Sequence, residues 1–138
     1  MKKYLTLLFL CIISFAKLEA AEAIIVVANT SDKSIQLSRQ QVRNLFMGGV
    51  IPYNLDAIAL PPENQTRVLF NTKVVGLTEA RIQSYWAQMR FTGRKRAPKE
   101  VDNESSVLEY LENNIDAIGY LPGDISIPDN LTVVYTIR

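Results

Sequence analysis

The chain has 138 residues, of which 48% are hydrophobic, with 15 basic and 14 acidic residues and no histidine. This length suits one globular domain. The net charge of +1 excludes a general attraction to nucleic acid or to anionic membranes, and we expect neither as a partner.

The N-terminal segment has the pattern of a secretory signal peptide. Two lysines precede an apolar run from Leu5 to Ala16, and small residues suited to cleavage follow the run. The run is too short to act as a stable membrane anchor. We therefore predict a signal peptide over residues 1–20, with cleavage as late as residue 23, and a periplasmic domain over residues 21–138.

The predicted mature chain lacks two reactive side chains. After residue 20 it has no cysteine and no histidine, and it keeps 12 basic and 13 acidic residues. This composition excludes a thiol nucleophile, a disulfide, an imidazole base and the usual zinc sites. Serine-hydrolase motifs are also absent from residues 21–138. We expect a protein that is not an enzyme and that has no cofactor or metal.

The first half of the domain alternates between strand and helix patterns. Residues 23–28 form a continuous apolar run, which is typical of a buried strand. Ser38 and Gln41 make a capping box for a helix that Gly48-Gly49 ends. Residues 56–60 predict a second strand.

Two prolines, Pro61-Pro62, stop that strand and Asn64 caps a new helix. A helix start carries unpaired N–H groups and a partial positive charge, which together can hold an oxyanion. Side-chain donors cluster at this start, and we take as the candidate ligand-binding residues Asn64, Gln65, Thr66 and Arg67. The alternative is that Asn64 only caps a surface helix and Arg67 is solvated.

Two helices are predicted after this point. The first ends at Gly76 and turns four apolar residues inward, namely Val68, Leu69, Val74 and Val75. Thr78 caps the second, which carries an apolar and aromatic stripe of Ile82, Tyr85, Trp86 and Met89. The stripe fits core packing, with a ligand platform as the alternative.

A basic loop follows the second of these helices. Its charged residues include Arg94, Lys95, Arg96 and Lys99. Such a run is consistent with a solvated loop, or with a surface for an anionic partner such as an envelope polymer.

The C-terminal third predicts one helix and two strands. Ser106 and Glu109 form a second capping box, for a helix with an inner side of Val107, Leu108, Leu111 and Ile115. Residues 117–121 and 131–137 follow as strands. Strands separated by helices predict an α/β domain, with a mixed or mostly parallel sheet covered by helices on both sides.

Several segments, taken in order, resemble landmarks of the periplasmic phosphate-binding proteins of ABC transporters. They are residues 37–48, 66–70, 85–86, 91–93 with Pro98, and 116–120. The resemblance implies a type 2 periplasmic-binding-protein fold, in which the ligand lies between two lobes. It covers about one lobe, so we expect a three-layer single-lobe relative.

The resemblance also carries to individual positions. The Ser-Gly-Thr helix start of the family falls on Asn64, Gln65 and Thr66, of which only Thr66 is retained. The arginine that the family has four residues before that motif falls on Leu60, and Arg67 supplies a positive charge from another place.

Two functional hypotheses follow. In the first, the protein is an exported solute-binding-type protein that binds phosphate or a similar oxyanion weakly, with a partner protein or a second copy of the chain completing the missing lobe. In the second, it is an accessory interaction module of the cell envelope that reuses the fold without transport.

Overall fold

The computed structural model describes residues 23–93 and 95–138. The predicted signal peptide and Arg94 lie outside these residues. The helices are α1 (Arg39–Phe46), α2 (Gln65–Phe70, continued by a π-helical turn over Asn71–Val75), α3 (Glu79–Thr92) and α4 (Glu104–Asn113). The strands are β1 (Ile24–Ala28), β2 (Asp56–Ala59), β3 (Lys99–Glu100), β4 (Ala117–Pro122) and β5 (Thr132–Ile137).

The strands form one mixed sheet in the order β3-β2-β4-β1-β5. Strand β2 is parallel to both β3 and β4, whereas β1 runs antiparallel to its neighbours β4 and β5. All five residues of β1 are buried, as the apolar run predicts. The predicted mixed α/β sheet is therefore confirmed.

Helices cover both faces of the sheet. A Cβ added to Gly119 of β4 would lie 3.0 Å from Cγ1 of Val107, so α4 approaches that face closely. The next residue, Tyr120, points to the opposite face because side chains alternate along a strand. There its ring stacks on Phe70 of α2 at 4.0 Å and lies 5.6 Å from Phe46 of α1. The predicted three-layer arrangement is confirmed.

The helix starts follow the predicted caps except at α4. Ser38 and Gln41 form the capping box of α1, and Asn64 and Thr78 cap α2 and α3. The capping box predicted at Ser106 is wrong, because Asn103 caps α4 and its side chain accepts a hydrogen bond from the Ser106 amide at 2.9 Å. Helix α4 thus begins two residues before Ser106.

Two residues predicted to face the core do not. Val68 is 44% exposed and Ile115 is 79% exposed. Ile115 follows the end of α4, so the periodicity of the helix does not reach it. In the π-helical turn that continues α2, Val74 and Val75 are buried, so the inward orientation predicted for these two residues is confirmed.

A β-bulge interrupts the pairing of β1 with β5. Val26 pairs with Tyr135 and Val27 with Val133, which leaves Val134 as the extra residue. The Val134 carbonyl accepts a hydrogen bond from the Leu37 amide at 2.8 Å. The segment that precedes α1 is thereby attached to the outer side of β5.

Candidate functional site

The predicted site begins at Leu60, where β2 passes into the proline turn. The Leu60 amide donates to the hydroxyl of Tyr120 at 3.1 Å, and its carbonyl accepts from Nη1 of Arg67 at 2.7 Å. Both backbone groups of Leu60 are therefore bound by side chains. Burial raises the pKa of Tyr120 above its ordinary range, so this hydroxyl stays neutral.

Arg67 is buried, with 7% of its surface exposed, and it is held by two carboxylates. Its Nε and Nη2 donate to Glu79 at 2.6 and 2.8 Å, and Nη1 also donates to Glu100 at 3.2 Å. The paired contact with Glu79 is the bidentate geometry that a guanidinium favours with a carboxylate. Arg67 is thus part of an internal ion-pair network.

This network shifts the pKa of both principal partners. Burial is the largest single influence and lowers the pKa of Arg67, but the hydrogen bond with Glu79 and the electrostatic effects of Tyr120, Glu79 and Glu100 together outweigh it, and the pKa is raised. Burial alone raises the pKa of Glu79, but hydrogen bonds from Arg67 and Gln83 outweigh it and the pKa is lowered. Both groups are charged at neutral pH.

The start of α2 already contacts a carboxylate from the same chain. Oε1 of Glu104 accepts hydrogen bonds from the Asn64 side-chain amide at 3.0 Å and from the Thr66 hydroxyl at 3.1 Å. These hydrogen bonds outweigh burial and lower the pKa of Glu104. The side-chain oxygen of Asn64 meanwhile accepts from the Thr66 amide at 2.8 Å. A carboxylate is itself an oxyanion, so the donors hold the kind of group predicted for them.

The four predicted ligand residues therefore divide into two groups. Asn64 and Thr66 lie together at Glu104, and Gln65 between them is exposed. Arg67 lies instead in the network of Glu79 and Glu100. Sequence reasoning missed all three acidic partners. Glu79 stands directly after the cap Thr78, whereas no local pattern connects Glu100 or Glu104 to α2.

The basic loop is only partly gathered on one surface. Lys95 lies against Gly48, and Arg96 lines a groove with Gly48 and Gly49. Lys99 is in β3, with its ammonium 4.9 Å from the ring centre of Tyr110 in α4. Arg96 and Lys99 thus line the same groove, and the Lys99 ammonium also contacts α4.

Across residues 23–93 and 95–138, no group of three or more acidic, cysteine or histidine side chains is placed to hold a metal ion. Nor does any helix in this part of the chain combine the length and hydrophobicity needed to cross a membrane.

The described residues form a single α/β lobe. The crystal structure of an ABC-type phosphate transport receptor from Vibrio cholerae is similar, with a TM-score of 0.58 at 16% sequence identity. The match covers 81% of the present chain and 45% of the receptor, so the chain spans less than half the length of that protein. No family profile and no curated protein sequence matches the chain. The likeness shows the fold.

Proposed function

We propose that this protein is a non-transport accessory module of the cell envelope, which uses the single lobe as a scaffold for a partner with an acidic surface. The observation that carries the proposal is the internal occupation of the predicted oxyanion site. Glu104 takes the donors of Asn64 and Thr66, and Glu79 and Glu100 take those of Arg67.

An incoming phosphate would have to displace these carboxylates. Phosphate is strongly hydrated, and a site captures it only by replacing its water contacts with aligned donors. Donors that already bind a carboxylate give little net gain, because one charge-assisted hydrogen bond replaces another. The arrangement suits a rigid structural connection between α2 and α4.

The proposed docking surface consists of Val50, Phe91, Lys95 and Arg96. Val50 and Phe91 are the most exposed large apolar side chains of the described chain. Lys95 and Arg96 are exposed, and no carboxylate in residues 23–93 or 95–138 pairs with either of them. Lys95 and Arg96 closely follow Phe91 in the sequence, and Lys95 lies against Gly48, two residues before Val50. Unpaired cations together with exposed apolar side chains favour a partner that has carboxylates around an apolar patch.

Site-specific photocrosslinking in living cells tests this surface. A photoreactive residue at position 91 should give one specific protein adduct, and the same probe at the exposed Glu112 of α4 should give none. Replacing both Lys95 and Arg96 with glutamate should remove the adduct while the protein stays folded. Equal labelling from positions 91 and 112, or an adduct that survives the charge reversal, would refute the proposal.

A second candidate function is weak binding of phosphate or a similar oxyanion at Asn64, Gln65, Thr66 and Arg67, in the manner of a solute-binding protein. It is favoured by the Glu104 carboxylate at the start of α2, which shows that an anionic oxygen fits there. In this case phosphate would replace Glu104, and a partner or second copy of the chain would cover it.

Calorimetric titration with phosphate separates the two candidates. The accessory module predicts no heat from the wild-type protein at millimolar phosphate. Saturable heat that Thr66→Ala abolishes would support the second candidate instead. Glu104→Gln supplies the control, since it shows whether the carboxylate is what keeps phosphate out.

A further inference from the structure

A cavity of about 150 Å³ lies between α2, α3 and the sheet, and Arg67 near the start of α2 forms part of its lining. Four buried aromatic side chains line it, Phe46, Phe70, Trp86 and Tyr120, together with polar side chains that include Arg67, Asn71 and Gln83. A cavity of roughly this volume accepts one benzene ring. The aromatic part of the cavity is therefore matched in size to a single six-membered ring.

The polar groups inside the cavity already have partners. Arg67 is bound by Glu79, Glu100 and the Leu60 carbonyl, and Asn71 donates to Glu79 at 3.1 Å. No buried side-chain nitrogen or oxygen in the described residues lacks a hydrogen bond. A ligand gains nothing by placing a charged group deep in this space, so its apolar part should enter first.

The mouth of the cavity has one free group of each charge. Arg90, on α3, is exposed, and its side chain forms no hydrogen bond or ion pair with the described residues. Glu100, at the end of β3, has a side chain that is 47% exposed and uses only Oε2, in its 3.2 Å contact with Arg67. Ala97 and Pro98 complete the rim. A guanidinium and a carboxylate oxygen are thus available to a ligand beside the apolar interior.

We infer that this cavity binds a small zwitterion with one six-membered ring, that is, an aromatic α-amino acid. The ring packs against the aromatic side chains that line the cavity, the ammonium group contacts Glu100 and the carboxylate contacts Arg90. A simple anion would be repelled by Glu100, and a simple cation by Arg90. The inference is independent of the proposed docking function, because it uses a different site.

The only tryptophan of the chain, Trp86, lines the cavity and reports on its contents. Titration of the purified protein with L-phenylalanine should change Trp86 emission saturably, with Kd on the order of 0.1–1 mM. Phenethylamine lacks the carboxylate and 3-phenylpropionate lacks the ammonium, and each should bind about fivefold more weakly. L-alanine lacks the ring and should give no response at about 10 mM.

Variants at the mouth assign each contact. Arg90→Gln should weaken L-phenylalanine about fivefold and bind phenethylamine at least as tightly as wild type does, because a repelling charge is removed. Glu100→Gln should weaken L-phenylalanine similarly and bind 3-phenylpropionate at least as tightly as wild type does. Ala97→Phe adds a ring at the exposed rim and should abolish binding without loss of thermal stability. Arg81→Gln and Glu112→Gln, which change exposed residues away from the cavity, should bind like wild type.

Three results would overturn the inference. The first is the absence of a saturable change in Trp86 emission, together with unchanged amide chemical shifts around the cavity. The second is binding of phenethylamine or 3-phenylpropionate as tight as that of L-phenylalanine. The third is full binding by a folded Ala97→Phe variant, which would place the ligand elsewhere.

Discussion

Removal of the buried guanidinium by Arg67→Ala should destabilise the protein strongly. The substitution deletes the hydrogen bonds to Glu79, Glu100 and the Leu60 carbonyl, and it leaves a space beside Phe70 and Tyr120. Breaking a buried ion pair by removing one partner costs about 3–5 kcal/mol. Water reaches the side chains of Glu79 and Glu100, which are 27% and 47% exposed, so we expect a loss below that range, about 2–3 kcal/mol.

The measurement is urea unfolding at pH 7, followed by the fluorescence of Trp86. For a domain of this size, the expected loss corresponds to a decrease in Tm of roughly 10 °C. Arg67→Lys keeps the positive charge but loses the bidentate hydrogen bonds to Glu79, so its stability should lie between those of wild type and Arg67→Ala. Arg81→Ala, at an exposed position of α3, should lie within about 0.5 kcal/mol of wild type. A loss below about 1 kcal/mol for Arg67→Ala would show that the network is solvated and would refute this reasoning.

Three further predictions concern other contacts. The pKa of Glu79 is lowered from its ordinary value of 4.5, because hydrogen bonds led by that from Arg67 outweigh burial. The stability that Glu79 contributes is therefore present above about pH 4.5 and is lost as the pH falls through the folded-state pKa. Urea unfolding measured from pH 7 to pH 3 should therefore show a smaller acid-dependent loss for Glu79→Gln than for wild type, and equal losses would contradict the assignment. Gly48→Ala should cost about 1–2 kcal/mol in the same assay. The reason is that Gly48 has a φ of +76° and that a Cβ there would lie 3.0 Å from Lys95 and from the Trp86 ring. Unchanged stability would mean that the loop carrying Lys95 does not contact Gly48. Asn103→Ala should cost about 1 kcal/mol through loss of the cap of α4. An unchanged thermal stability would indicate that Ser106, and not Asn103, is the N-cap residue.

The sequence predicted much of the fold because local chemistry determines many of its elements. Asn64 and Thr78 cap helices through hydrogen bonds to amides two or three residues away, and the buried run of β1 needs no partner to be recognised. The predicted start of α4 was wrong because two residues there suit the same role. Asn103 and Ser106 both suit an N-cap, and a sequence pattern does not say which one the chain uses.

The site was less predictable because its contacts connect distant segments. The donors at Asn64 and Thr66 are visible in the sequence, but Glu104, which they bind, lies about forty residues away. Arg67 similarly meets Glu100 only because the parallel pairing of β2 with β3 brings the two segments together. The antiparallel direction of β1 depends in the same way on its neighbours in the sheet.

The bulge at Val134 has a consequence for how this protein behaves at high concentration. Strand β5 lies at the border of the sheet, where free backbone groups could recruit a strand from another molecule and begin aggregation. The Leu37 amide and the Gln36 side chain bind the carbonyls of Val134 and Val133, so part of this border is already covered. The bulge also twists the strand, which makes it a poor template for intermolecular β-addition.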